Sequence, residues 1–332
     1  MLTQNQLIQS QAIAAMAQQP YHPTTCLNSI DQACQQVLKT KSIYSPQVDE
    51  NGQKRMYLNQ AGHKLASTMP IIKDCPFMNG RVTHAKVHPF LEAIYHFLNQ
   101  TGLICIQPNQ ELNQDFILNH IQQFKNYLLT RQYGQQLNQW NELSNDTAQQ
   151  FDQFTKGLIK AVSGFDVHEV VCYYPLNQHM YPNAAFTSQS DFAESIDKEI
   201  TRLICQSEKN AVRGVLVKQE LSIHYQLVRR FFVFTECRYI DDPSSFTNLE
   251  FMEEVKRLVE PNSQNHVVLA SNHLNGFLLS NRFIKKSSDF NEQMRRLKAY
   301  VVGTDKFIRV GGTQPTFKVL FSKPQQNQLL SS

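Results

Sequence analysis

Tyr300 stands in a run of cations, with Arg295, Arg296 and Lys298 just before it and Lys306 and Arg309 just after. A phenol is a poor nucleophile at its ordinary pKa, but neighbouring cations favour the phenolate. A helix-borne tyrosine in this setting could attack a phosphodiester. The plain alternative is a tyrosine packed at a helix end with its hydroxyl hydrogen-bonded. Arg229 and Arg230 begin a strand-like run. The two-residue period of a strand sends them to opposite faces, so only one can share a surface with the cations around Tyr300.

The other constellations carry less. His84 and His88 have the four-residue spacing of paired ligands on a helix, but Pro89 makes the helix start after both, and no third ligand is near. His224-Tyr225-Gln226 would be a paired-histidine motif if its last residue were histidine, and glutamine is a poor ligand for a divalent metal. No metal site is expected. Gly311-Gly312 lacks the lysine and spacing of a phosphate-cradling loop, and Asp241-Asp242 reads as the start of a solvated loop. The seven cysteines are odd in number and show no CxxC spacing, which fits reduced thiols in a cytoplasmic protein.

At 332 residues and 41% hydrophobic, the chain can bury a large core in one or two domains. No apolar run is long enough to span a membrane. Met1 to Pro20, interrupted by Gln4, Gln6, Gln9 and Gln11, does not read as a signal peptide. The net charge of +4 is unevenly spread. Residues 161–281 carry ten lysines and arginines against fifteen acids, whereas residues 282–332 carry ten against three. Such a segment suits a polyanion-facing surface, and the plain alternative is a solvated basic helix with no partner. The candidate contacts are Arg230, Arg282, Lys285, Lys286, Arg295, Arg296, Lys298, Lys306 and Arg309.

These residues need elements to hold them. In the first half, apolar residues recur among glutamines at helical spacing. One helix is predicted after His88-Pro89, with Phe90, Ala93, Ile94, Phe97 and Leu98 on one face; a second runs from about Gln110, with Phe116 inward; a third contains Phe151, Phe154, Leu158, Ile159 and Val162. Thr40 to Gly80 reads as a long connection. The second half changes period. Strands are predicted at Glu169–Tyr174, Val212–Leu221, Arg230–Ile240 and His266–Ala270, the second with Val215 and Val217 set against Lys218 and Glu220. Helices capped by Asp191 with Glu194, and by Thr247 with Glu250, fall between them. The order β-α-β-β-α-β is the ferredoxin-like one. A helix capped by Asp289 with Glu292, its inward face carrying Met294, Leu297 and Val301, and a last strand from Thr316 to Phe321 are appended.

Several of these segments together resemble the inovirus-type replication-protein family, the replication-initiator-like proteins of filamentous phages and related elements. Lys298-Ala-Tyr-Val-Val-Gly-Thr-Asp-Lys-Phe-Ile-Arg309 is similar to that family's late stretch around its tyrosine. Val170 to Leu176, Val217 to Glu220 and Arg230 to Phe234 fall where the family has three of its strands. The likeness covers roughly residues 150–322 and implies a relaxase-like site in which a metal held by a histidine pair polarises a phosphate and a tyrosine attacks it. The departures are specific. Val228 and Arg230 stand where the histidine pair belongs, or His224 and Gln226 if a gap is allowed, and neither placement restores the pair; Cys172 and Tyr174 replace an arginine and an aspartate, and Gly303 replaces a lysine. Of the nicking apparatus only Tyr300 survives. An arginine in place of a histidine would also exchange metal binding for phosphate binding.

The expectation is therefore an α+β protein: a mostly helical region over 1–160, a ferredoxin-like domain over 161–323 and a disordered tail over 324–332. Its expected role is a DNA-binding, replication-initiator-like protein of a phage or mobile element that lacks metal-dependent nicking and needs no cofactor. Two rivals stand beside it. One is an active tyrosine-dependent nicking enzyme using a divalent metal, and the other is a regulatory module whose helical N-terminal half binds a protein partner.

Overall fold

A computed structural model of the chain describes residues 3–17, 24–40, 42–48, 50–75, 77, 85–102, 105, 114–175, 182–207, 211–222, 226–237, 249–259, 268–270, 277–278, 280–310 and 316–322. It is a mixed α+β protein in two compact units, one made of 24–142 and the other of 1–23 together with 143–332. The boundary falls near 142, inside a helix, and the N-terminal segment belongs with the C-terminal half. This differs from the division at residue 160 expected from the change of period. Among the described residues, no helix is long and apolar enough to cross a membrane.

The smaller unit is built from α2 (Thr24–Lys39), a hairpin of β1 (Tyr44–Val48) and β2 (Lys54–Leu58), α3 (Gln60–Asp74), the short strand β3 (Ala85–Val87), α4 (Pro89–Gln100), α5 (Gln114–Leu128) and the first part of α6 (Arg131–Ala161). The helix α1 (Gln4–Ala17) precedes it in the chain and belongs to the other unit. The hairpin and α3 correct the expectation of a long connection between Thr40 and Gly80. In α4, Pro89 occupies the first turn and His88 caps it, its Nδ1 accepting from the Phe90 amide at 3.1 Å. Phe90, Ala93, Ile94 and Leu98 are buried as the helical period predicts. Phe116, expected inward, is 47% exposed on α5.

The larger unit centres on an antiparallel sheet of β4 (Gly164–Pro175), β5 (Val212–Leu221), β6 (Gln226–Glu236), β7 (Val268–Ala270), β8 (Arg282–Ile284) and β10 (Phe317–Ser322). The short strand β9 (Ile308–Val310) precedes β10 in the chain. The strands lie in the order β10-β5-β6-β4-β7, and β8 pairs with the other end of β4. In the chain, α7 (Pro182–Ser207) falls between β4 and β5, α8 (Leu249–Val259) between β6 and β7, and α9 (Phe290–Gly303) after β8. The predicted β5 agrees end to end, whereas β6 begins at Gln226, four residues ahead of Arg230. Asp191 does not cap α7, which starts at Pro182. The capping residue Thr247, the pairs Gly311-Gly312 and Asp241-Asp242, His84, His224 and the tail 324–332 lie outside the described residues.

Both faces of this sheet are covered. On one, α7 packs against β4, β5 and β6 and against α8. On the other, α9, α1 and the later part of α6 bury one apolar cluster, with Ile8, Ala12, Phe151, Leu158, Leu297 and Val301 meeting Phe165, Val167, Leu216, Phe232 and Phe234. A strand covered twice hides every second residue and its neighbours alike. Lys218 and Glu220, which alternation assigns to a wet face, are therefore buried, at 1% and 7% exposure.

Candidate functional site

Four charged side chains project from the three central strands onto the face covered by α9. Lys218 and Arg230 are cross-strand partners in the β5–β6 register, and Glu220 lies two residues along β5 from Lys218. Glu169 reaches them from β4, where Val171 is the partner of Arg230. The guanidinium of Arg230 donates through Nε and Nη2 to Glu220 Oε2, both at 3.1 Å, and through Nη1 to Glu169 Oε1 at 2.5 Å. Lys218 Nζ donates to the Val301 carbonyl at 2.5 Å and pairs with Asp305 at 3.1 Å and Glu220 at 3.5 Å. Asp305 in turn accepts from Thr316 Oγ1 at 2.5 Å.

Tyr300 closes this network from α9. Its hydroxyl lies 3.2 Å from both carboxylate oxygens of Glu169. Its ring stacks on Phe277 (centroids 5.9 Å apart, 22° between planes) and meets Phe232 edge-on. Burial, then the charge of Glu169, hold its pKa well above the ordinary phenol value. For Arg230, burial alone would favour loss of the proton, but Glu220 and Glu169 outweigh it and the guanidinium is held charged more firmly than usual. The arrangement suits storage of charge inside a core: each ion has a hydrogen-bonded opposite, which is the condition for tolerating it there.

The accessible nucleophile expected at Tyr300 is not what the geometry presents. The side chain is 0% exposed, and nearby carboxylates and burial oppose a phenolate. Arg230, expected to contact DNA, is 1% exposed and committed to two carboxylates, so it offers no fork to a phosphate. Arg309 is likewise 1% exposed, donates to Ser144 Oγ at 2.8 Å, and is held below its ordinary pKa by burial. Three candidates are partly engaged at the surface. Arg282 pairs with Asp166 at 2.9 Å, Arg296 with Glu292 at 3.0 Å while lying over the Phe277 ring, and Lys298 with Asp152 at 2.7 Å. Lys285, Lys286, Arg295 and Lys306 are exposed, Arg295 donating to Gln4 and Lys306 lying over the Phe307 ring. Asp289 precedes α9 and accepts from Ser287 and Gln293, while Glu292 turns to Arg296.

Sequence reasoning missed Glu169 and Asp305 as partners of this network. For Glu169 a signal was present, as a charge inside a largely apolar strand; Asp305 lies in the short segment Thr304–Lys306 after α9, and no strand pattern marks it.

The opposite face of the sheet holds a second polar group. Arg229, buried at 1% exposure, faces Asp197 and Glu194 of α7, each at 3.8 Å, and Glu194 pairs with Lys318 at 2.7 Å. Burial raises the Asp197 carboxyl to about 6. So Arg229 and Arg230 do point to opposite faces, and both are buried. Nearby, His168 lies 3.2 Å from the Thr235 hydroxyl, and burial lowers its pKa to about 4. Among the described residues, no cluster of three or more His, Cys, Asp or Glu side chains could hold a metal.

The chain was compared with family models, with curated proteins and with solved structures, and nothing matched in any of the three.

Proposed function

We propose that this protein binds DNA through the exposed cations of the β8–α9 segment, as a replication-initiator-like protein in which Tyr300 is a structural residue. The observation that carries the reading is the contrast within residues 282–309. Lys285 and Lys286, in the turn after β8, are exposed together with Arg295 and Lys306, while Tyr300 is sealed against Glu169. Exposed cations with few acids around them attract a phosphate backbone by releasing its counterions. A tyrosine with no exposure cannot reach one.

The arrangement of β4, α7, β5, β6, α8 and β7, with the strands side by side as β5-β6-β4-β7, supports a ferredoxin-like reading of this unit. In that reading α9 lies over the sheet with its tyrosine facing β6, where an initiator's metal ligands would sit, and Arg230 with its two glutamates fills the place. The site has become a salt-bridged core, and DNA contact has moved to the surface beside it. The phosphate-binding role considered for Arg230 is replaced by this structural one.

The reading is tested with a labelled oligonucleotide in Mg²⁺ and Mn²⁺. Wild type is expected to shift the oligonucleotide without cutting it. Tyr300→Phe should bind as wild type does, though it removes hydrogen bonds to a buried carboxylate and so costs about 1–3 kcal/mol of stability. Lys285→Glu with Lys286→Glu should weaken binding. Cleavage abolished by Tyr300→Phe would overturn the structural role and restore the nicking enzyme.

A further inference from the structure

We propose that the β1–β2 hairpin and the start of α3 form a second nucleic-acid contact, a β-ribbon that enters a groove of duplex DNA. This rests on the DNA-binding reading above, and it assigns a surface in the other unit. Between residues 32 and 73 the chain carries Lys39, Lys41, Lys54, Arg55, Lys64 and Lys73 against only Asp49 and Glu50. In the chain both acids precede Lys54, and from Lys54 to Lys73 every charge is positive.

The hairpin projects. Tyr44 and Leu58 at its base are buried, but Pro46, Gln47 and Val48 on β1 and Lys54, Arg55 and Tyr57 on β2 are exposed, Val48 by 63% and Tyr57 by 40%. An isolated two-stranded ribbon is at best marginally stable, so one that leaves its outer half bare needs a firm base. That base is explicit. Asn59 donates through its side chain to the Ser42 carbonyl at 2.7 Å and through its amide to the Ile43 carbonyl at 2.8 Å. The same side chain caps α3 by accepting from the Gly62 amide at 3.0 Å. Hairpin and helix are thus presented as one rigid piece.

The register separates two faces. Tyr57 is opposite Ser45 and Arg55 opposite Gln47, so an aromatic ring, a guanidinium, an amide and a hydroxyl share one face. This is the donor, acceptor and stacking inventory that reads base edges, and a two-stranded ribbon fits the major groove. Lys54 on the other face, and the exposed His63 and Lys64 on the first turns of α3, would meet phosphates. The edges argue against the competing occupant, an added protein strand: Pro46 withholds a donor from the β1 edge, and charged residues line β2.

The test is fluorescence anisotropy on the intact chain with a labelled generic duplex and a labelled single strand at ~50 and ~200 mM salt. Lys54→Glu with Arg55→Glu should weaken duplex binding about tenfold and lower the slope of log affinity against log salt by about 1, the share of Lys54 at a phosphate. Tyr57→Ala should weaken it with the slope unchanged. Both variants change exposed residues, and circular-dichroism melts separate any loss of folding from loss of binding. If they bind duplex like wild type while Lys285→Glu with Lys286→Glu does not, the hairpin proposal is wrong and the DNA-binding reading stands. If wild type binds only the single strand, groove entry is wrong. If wild type binds neither at ~50 mM salt, the DNA-binding reading falls and takes the hairpin with it.

Discussion

Arg230 shows how a charge is kept inside a core. Two glutamates satisfy it, one of them shared with Tyr300 and the other with Lys218. Arg230→Met leaves those carboxylates buried with no guanidinium, which should cost about 3–5 kcal/mol in a urea titration. Replacing Glu169 and Glu220 by glutamine in the same chain removes the stranded charge, so the triple variant should be more stable than Arg230→Met alone. Equal or lower stability of the triple variant would show that the network is held by something other than charge compensation. His168 supplies a pH dependence. Its folded pKa, about 4, lies below the ordinary 6.5, so between those values the unfolded chain binds the extra proton. Stability is then lost as pH falls from 6.5 toward 4. Wild type should lose about 2 kcal/mol relative to His168→Gln between pH 7 and pH 5, measured by urea melts of both. The opposed faces of Arg229 and Arg230 were legible from strand period alone. The burial of Tyr300 had a signal as well, because Leu297, Tyr300 and Val301 fall on one helical face. The cations around it masked that signal, since they pointed to chemistry first.

At the scale of elements, β5 was readable to the residue because its β-branched and apolar run is bounded by polar segments. The hairpin and α3 were not. Pro46 and the wet residues of β1 and β2 dilute the alternation, and the element is held at its base by Asn59 and by Gly62, whose role is invisible in a pattern. Gly62 lets the first turn of α3 approach the hairpin: a Cβ there would lie 2.4 Å from the Ile43 carbonyl oxygen and 2.8 Å from Leu58 Cδ2. Gly62→Ala should therefore cost about 1–3 kcal/mol, read as a lower melting temperature. An unchanged melt would mean that the hairpin base yields easily and is not a rigid mount. The early part of α6 was missed for a related reason. Its glutamines and asparagines leave little apolar period before Phe151, although Trp140 is buried within it.

Across the whole molecule, the divided unit could not be read from order along the chain. Helix α1 packs against α9, nearly three hundred residues later, and no local pattern records such a contact. Charge distribution was legible in part. The excess in residues 282–332 was plain, but which of its cations meet water was not, because Asp166, Glu292, Asp152 and Ser144 each engage one of them. What remains exposed makes the central claim one about salt. Affinity for DNA should be measured by anisotropy across a salt series from ~50 to ~200 mM, with wild type and with Lys285→Glu plus Lys286→Glu. The account predicts that log affinity falls linearly with log salt, with a slope of about −3 or steeper, and that the variant's slope is shallower by about 2. Binding that is absent at ~50 mM salt, or that does not change across the series, would contradict it.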